Sequence, residues 1–297
     1  MATKKMQEAK KNKKDEFYTL YKDVEHGVKT IKTKLRGKRI YCNCDSPESS
    51  FVKYFDEHFE ELGLKSLVAT GYNPNGRGTK FVRTADGRRN ISELNGDGDF
   101  ASEECRRILN DSDVVITNPP FSKESDFIEL ILDYNKKFYV ICHQLAASQK
   151  KIGDHFVHGR IWFSQAVLNG GFWFEIPNDY ECTAKTRKVI GGKNCVNFSG
   201  IKWISNIDFE SRYTIKHVGV KYDESKYAKF DNCDAINVRR VEEVPDDYYG
   251  VMGVPITFLV YCNPKKFKIL GMRKGDDGKD LRVNGKPTFS KYLIQRI

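Results

Sequence analysis

Polar and apolar positions change rhythm several times along this chain. The run Lys38-Arg39-Ile40-Tyr41-Cys42-Asn43-Cys44-Asp45 reads as a short strand ending at an acidic turn. Phe51, Val52, Phe55, Phe59 and Leu62 then recur at three- and four-residue spacing, which predicts a helix closed by Gly63. Ser66 to Thr70 predicts a second strand. Asp113 to Thr117 is an apolar run of the kind buried on both faces of a sheet. A helix is expected from Glu124 to Tyr134, and a strand from Lys137 to Cys142. Strand–helix alternation of this sort predicts a parallel α/β sheet, in which ligands bind outside the carboxyl ends of the strands. Asp45 and Asn118 each follow a predicted strand, so they are expected to face one crevice although 73 residues separate them.

Residues 71–98 break the alternation. Gly71 to Gly78 is loop-like, and Arg77, Lys80, Arg83, Arg88 and Arg89 follow with only Asp86 to oppose them. A long basic insertion loop facing DNA is expected there. After residue 158 the texture turns mostly β: Arg160–Phe163, Gly171–Ile176 and Gly200–Ile204 read as strands. From Phe209 to Ile297 short apolar runs alternate with turns, without a strong helix. Residues 1–14 hold six lysines and one glutamate, which predicts an unpacked basic arm. Asp15 is placed to cap a first helix.

Composition sharpens this outline. Of 297 residues 39% are hydrophobic, with 19 Phe, 15 Tyr and 3 Trp, enough to build a core and to exclude global disorder. No apolar run approaches the ~20 residues of a membrane span, so no membrane partner is expected. Asp15-Glu16 stands where a secretory signal would need an apolar stretch, and a cytoplasmic location is expected. Lys plus Arg is 50 against 40 Asp plus Glu; the net charge of +10 points to a polyanionic partner, most often nucleic acid. The eight cysteines are scattered without a CxxC pair, as expected of free thiols. His155 and His158 lack an acidic or Cys partner at ligand spacing; they read as surface or DNA-facing residues, and no metal is expected.

Asn118-Pro119-Pro120-Phe121 carries the strongest chemical signal. Two prolines after a strand would make a turn in any protein. The same tetrapeptide also suits methylation of an exocyclic amine. Such an amine is a poor nucleophile because its lone pair is delocalised into the ring. The Asn118 side-chain oxygen and the Pro119 carbonyl can each accept one N6–H, which favours a pyramidal nitrogen that attacks a sulfonium methyl in line. The prolines hold both acceptors in place, and Phe121 can stack on the base. A base within a duplex must first be flipped out, at a cost of a few kcal/mol. Asp97-Gly98-Asp99-Phe100 is an ordinary turn by itself. Its acid could accept from a cofactor adenine amine while Phe100 packs on the ring.

Taken in order, Asp-Glu-Phe-Tyr-Thr at 15–19, Tyr-Cys-Asn-Cys-Asp at 41–45, Gly-Asp-Gly-Asp-Phe at 96–100 and Thr-Asn-Pro-Pro-Phe at 117–121 resemble the EcoRI-type adenine-N6 DNA methyltransferases. The likeness continues through Gly250–Leu259, Arg273-Lys274-Gly275 and Lys279-Asp280-Leu281. It implies an S-adenosylmethionine-dependent enzyme with a Rossmann-like methyltransferase sheet and a C-terminal, mostly β target-recognition region. It implies a catalytic domain over 15–208, containing the 71–98 insertion, and target recognition over 209–297. Phe17, Tyr18 and Thr19 would line the methionine end of the cofactor. Asn43, Cys44 and Asp45 would replace the usual Gly-rich loop, and Asp99 and Phe100 would hold the cofactor adenine. Asn118, Pro119, Pro120 and Phe121 would bind and activate the target adenine in duplex DNA. Modification within a restriction–modification system, or by an orphan relative of such enzymes, is the implied role, and a monomer is expected by analogy.

Two features depart from the wider methyltransferase pattern: the first cofactor loop lacks Gly-x-Gly, and no carboxylate follows the second strand at Thr70-Gly71-Tyr72. Lys185, Arg187 and Lys188 join Arg77, Lys80, Arg83, Arg88 and Arg89 as candidate phosphate contacts. The competing readings are an RNA or protein-glutamine N-methyltransferase and a non-catalytic DNA-binding module. The first usually carries Tyr at the fourth position of the motif, and the second has no need of the Asn118 turn.

Overall fold

The computed structural model describes residues 17–166, 171–176, 187–214, 219–273 and 280–297. The basic arm, Asp15-Glu16 and Lys185 lie outside the described residues. The chain divides into two compact units, one built from Met1–His143 with Ala166–Ile207, the other from Gln144–Gln165 with Asp208–Ile297. The 144–165 segment, expected in the first domain, therefore clusters with the second.

In the first unit, strand β1 (Tyr18–Thr19) precedes helix α1 (Tyr21–Lys29). Among the described residues the first helix begins at Tyr21, after residues 18–19 are drawn into a sheet. The chain continues through β2 (Arg39–Asn43), α2 (Ser50–Glu57), α3 (Phe59–Leu62), β3 (Ser66–Gly71), β4 (Thr79–Thr84) and β5 (Arg89–Glu93). It goes on to α4 (Glu103–Asp111), β6 (Val114–Thr117), α5 (Glu124–Asp133) and β7 (Lys137–His143). The helix expected over 51–62 is interrupted at His58 and ends on left-handed Gly63. Seven strands of this unit are neighbours in the order β5-β4-β3-β2-β6-β7-β12, where β12 is Ile201–Ser205. The central four, β3-β2-β6-β7, are parallel; β4, β5 and β12 are antiparallel to their neighbours. The result is a large mixed α/β sheet.

Residues 71–98 are largely a hairpin, not a loop. β4 and β5 pair from Thr79↔Glu93 to Arg83↔Arg89, joined by a turn with Gly87 at φ 83°. Asp86-Gly87 between two runs of strand formers is a hairpin signal, and the density of positive charge hid it.

A second sheet of the same unit, β1-β9-β11-β10, is antiparallel throughout, with β9 at Trp173–Glu175, β10 at Arg187–Ile190 and β11 at Lys193–Asn197. The core of this unit centres on Trp203, fully buried and stacked on Tyr139 at 4.6 Å. A Cβ on Gly27 of α1 would lie 2.4 Å from the Trp203 ring, so only glycine permits this approach.

The second unit carries the short strand β8 (Trp162–Phe163) and a sheet of β13 (Lys229–Phe230), β14 (Cys233–Asn237), β15 (Val251–Pro255), β16 (Phe267–Arg273) and β19 (Lys291–Arg296) in the order β13-β14-β15-β19-β16. A separate hairpin joins β17 (Arg282–Val283) and β18 (Lys286–Pro287). Helix α6 (Lys150–Val157) belongs to this unit, where Phe156 meets Tyr292 edge-on and the Tyr292 hydroxyl donates to the Ala147 carbonyl at 2.7 Å. Among the described residues no helix is long and apolar enough to cross a membrane.

Candidate active site

The turn after β6 and the turn after β2 are joined by one hydroxyl. Thr117 is fully buried at the end of β6, and its Oγ1 lies 2.5 Å from both the Asn43 carbonyl and Asp45 Oδ2. A hydroxyl has one proton to donate. Both bonds are made together when Asp45 is protonated and itself donates to Thr117. Burial pushes the Asp45 carboxyl up to about 7, against the opposing bonds from Thr117 and Ser49. Cys44, between Asn43 and Asp45, adopts φ 81°, a left-handed conformation that non-glycine residues hold only where their surroundings impose it. Its amide donates to the Thr70 carbonyl at 3.1 Å, which fixes the turn against the end of β3.

Asn118 follows directly. Its Nδ2 donates to the Phe17 carbonyl at 2.8 Å. Only the nitrogen of the amide can serve a carbonyl, so the orientation is settled and Oδ1 is left as the free acceptor. That Oδ1 is buried and has no hydrogen-bond partner. Buried orphan atoms of this kind are rare in folded proteins. Two more stand on residues that the sequence marked, Thr19 Oγ1 and Asn43 Nδ2. Asn43 Oδ1, in contrast, accepts from Thr70 Oγ1 at 3.2 Å, and the Tyr41 hydroxyl meets Thr70 Oγ1 at 2.8 Å.

Aromatic rings close one side. Phe121 is buried and lies 5.8 Å from Phe17, 5.7 Å from Phe174 and 6.4 Å from Phe198. It is a member of a ring cluster that seats Phe17, whose carbonyl holds Asn118. Phe100 is also buried, edge-on to Phe127 at 5.1 Å, with Lys123 Nζ 5.6 Å from its ring centre.

The loop before α4 comes to the same strand ends. Asn73 N donates to the Asp97 carbonyl at 2.8 Å, and a Cβ on Gly98, at φ 83°, would lie 2.4 Å from the Gly71 carbonyl. The backbone of this acidic loop thereby meets the end of β3, where the strand itself supplies no carboxylate. Asp99 pairs with Lys123 at 2.8 Å and accepts the Ala101 amide. Although burial raises its carboxyl, those two bonds hold it below the ordinary range. Lys123 stands two residues after Phe121, so this ion pair ties the acidic loop to the Asn118 turn. Sequence reasoning missed Thr117 and Lys123 as members of the site; both flank the tetrapeptide that it did find.

The candidate phosphate-binding residues divide. Arg83 is only 4% exposed. Its terminal nitrogens bond Asp56 at 2.8 Å and Glu60, and its guanidinium lies 4.4 Å from the centre of the Phe59 ring. It is a packing residue, in contrast to the expectation of a DNA contact, because the alternation of β4 points it inward. Arg89 also bonds Asp56, at 3.0 Å, Arg77 pairs with Glu93 at 3.2 Å, and Arg88 with Asp86 at 2.7 Å. Lys80 is half-buried on β4, and Arg187 and Lys188 are exposed on β10. Among the described residues no group of three or more His, Cys, Asp or Glu could hold a metal ion.

The profile of a family described as "Adenine-specific methyltransferase EcoRI" matches residues 5–293. The chain is 36% identical to Type II methyltransferase M.EcoRI of Escherichia coli over 98% of its own length and 96% of that protein. It is 33% identical to a Type II methyltransferase of Mycoplasma genitalium, covering 97% of each. Against Type II methyltransferase M.MpnI of Mycoplasma pneumoniae it is 36% identical over 88% of this chain and 83% of that one. No solved structure matches the chain.

Proposed function

The chain belongs to the EcoRI family of adenine-specific methyltransferases, and from that premise we propose that it transfers a methyl group from S-adenosylmethionine to the N6 amine of an adenine flipped out of duplex DNA. That it is a DNA methyltransferase follows from the family; the cofactor, the atom methylated and the flipping are the reading. One observation carries it: Asn118 Oδ1 is buried, oriented by the bond from Nδ2 to Phe17, and without a partner. A buried acceptor without a partner costs about 1–3 kcal/mol. An enzyme recovers that cost when an amine donates to it, and a packing residue never does.

The residues fit such a cofactor. Thr19 Oγ1, Asn43 Nδ2 and Asn118 Oδ1 are orphaned polar atoms on β1 and at the ends of β2 and β6. The parallel order β3-β2-β6-β7 is compatible with a Rossmann-like sheet, in which ligands would sit at the carboxyl ends of the strands. Phe17, Tyr18, Thr19 and the Asn43-Cys44-Asp45 turn would hold the methionine end, and Asp99 with Phe100 the adenine end. Asp97, whose carbonyl meets Asn73 beyond β3, would offer the ribose hydroxyls the carboxylate that the strand lacks. When bound, the cofactor supplies an electrophilic sulfonium methyl.

This chain's own residues do the rest. Asn118 Oδ1 and the Pro119 carbonyl accept the two N6–H bonds and localise the nitrogen lone pair. Pro119 and Pro120 keep those acceptors from relaxing. Thr117 holds the target-binding turn in register with the cofactor-binding turn. The Phe121 cluster excludes water. Arg77, Lys80, Arg88, Arg89, Arg187 and Lys188, with Lys185 outside the described residues, would form the phosphate-contacting group, with target recognition in residues 209–297.

The test is to incubate the protein with methyl-labelled S-adenosylmethionine and unmethylated duplex DNA and to identify the labelled nucleoside. Label in N6-methyladenine is the expected outcome. Label in RNA or protein alone would reject the DNA-adenine assignment. Duplex binding without any transfer would reject catalysis.

A further inference from the structure

Phe289, in the second unit, is 94% exposed, more than any other large hydrophobic side chain among the described residues. Its support is firmly braced. It follows the β17–β18 hairpin, whose Asn284-Gly285 turn has φ 51° and 72°. The Asp231 carboxylate accepts both turn amides, from Asn284 at 3.1 Å and Gly285 at 2.7 Å. Asp231 N donates to the Arg282 carbonyl at 2.8 Å, and Asn232 bonds both the Asp280 carbonyl and the Arg282 amide. Thr288 closes the hairpin with two bonds to the Leu281 carbonyl, from its amide at 2.8 Å and its hydroxyl at 3.0 Å. Leu281 is buried in a cluster with Phe230, Ala235 and Leu293. Beyond Thr288, Lys291 turns inward to the Val238 carbonyl at 2.6 Å and anchors the start of β19. Phe289 therefore stands between two fixed points.

The chain on either side of it is basic, and the acids that brace the hairpin, Asp231 and Asp280, face the turn amides and Arg282. From residue 282 to 297 the chain has Arg282, Lys286, Lys291 and Arg296 and no acid. Arg282 and Lys286 are exposed beside Phe289 in the chain, and Arg282 is held only loosely by Asp280 at 3.7 Å. A rigidly presented aromatic ring with cations next to it matches a base face with its phosphates. A protein partner would require an apolar patch rather than one ring. Resting on the reading of duplex DNA as substrate, we propose that Phe289 stacks on or between nucleobases of the bound duplex, with Arg282 and Lys286 on the neighbouring phosphates. Apolar wedges of this type unstack base steps, and aromatic–base stacking tolerates any sequence.

Duplex binding by the full chain is measured with Phe289→Ala, Phe289→Trp and the double variant Arg282→Ala/Lys286→Ala. Phe289→Ala weakens binding about tenfold, the scale of one lost stack, and leaves the slope of affinity against salt unchanged. The double variant lowers that slope by about two. Phe289→Trp keeps the affinity, and its added fluorescence over the parent is quenched by duplex. Full affinity in Phe289→Ala, or an added tryptophan signal indifferent to DNA, overturns the proposal. A changed oligomeric state in Phe289→Ala with unchanged DNA affinity overturns it in favour of a protein contact. A parent that binds no duplex removes the DNA reading itself, which the other outcomes leave intact.

Discussion

Two buried polar groups of the first unit are held in opposite ways. At Arg83 the protein matches a buried charge: both terminal nitrogens reach carboxylates and an aromatic ring covers the guanidinium, and only Nε is left without a partner. At Asn118 it fixes one end of an amide and leaves the other open. A buried group whose charge is met by carboxylates serves the fold. An oriented but unsatisfied one is held ready for a donor from outside. Burial alone would rank Arg83 above the half-buried Asn118; what separates them is that the carboxylates answer the charge of Arg83, while the one acceptor of Asn118 has nothing to receive.

The largest effect that would break this contrast is on the reaction. Asn118→Ala lowers methyl transfer by about 100- to 1,000-fold, the scale of removing one preorganised hydrogen-bonding group, as read by single-turnover assay. Arg83→Ala acts on the fold. Removing bonds to charged partners costs about 2 kcal/mol, and a thermal melt drops by roughly 4–8 °C. The rate per folded molecule stays that of the parent.

Thr117→Val lies between the two. It removes the hydroxyl shared by Asn43 and Asp45, and transfer falls about tenfold, one buried hydrogen bond's worth of positioning. Thr117→Ser restores it. A purely steric role would make valine the better replacement, so the rate ratio of the two variants decides.

The Asp45 carboxyl sharpens the comparison through pH. Folding holds its proton up to about 7, whereas the ordinary value is 3.8. Between those values the unfolded chain has released the proton and the folded chain has not. The neutral acid's contribution to stability is therefore lost progressively as pH rises from about 4 to about 7. Asp23, which burial raises to about 6, moves in the same direction, so the variant must be compared with the parent. The melting temperature of Asp45→Asn relative to the parent rises from pH 5 to pH 8. A constant difference would mean that Asp45 is ionised throughout. Smallest are the surface cations: Arg88→Ala, Arg187→Ala and Lys188→Ala each reduce the salt slope of duplex binding by about one.

Much of this was legible in the sequence. Asn-Pro-Pro-Phe behind an apolar run announces a turn at the end of a buried strand, and β6 with its turn is that element. The parallel core was readable because helix and strand periods alternate cleanly over residues 38–70 and again over 113–143. The β4–β5 hairpin was not, since five cations drew attention to charge while the alternation of Phe81 and Arg83 carried the structure. Arg83 itself misleads because an arginine is rarely buried unless paired, and Asp56 and Glu60 are 27 and 23 residues away. The bond from Asn118 to the Phe17 carbonyl spans 101 residues. It depends on β1 joining β9, which no local pattern announces.

The measurement that bears most directly on the contrast is the melting temperature of Asn118→Ala, taken on the same preparation as its single-turnover rate. Removing the amide deletes one good bond and one orphan acceptor together. The melting temperature should therefore stay at or above that of the parent while transfer collapses. A melting temperature that falls by several degrees, with transfer lost only in proportion to unfolded protein, would contradict the account and make Asn118 one more packing residue like Arg83.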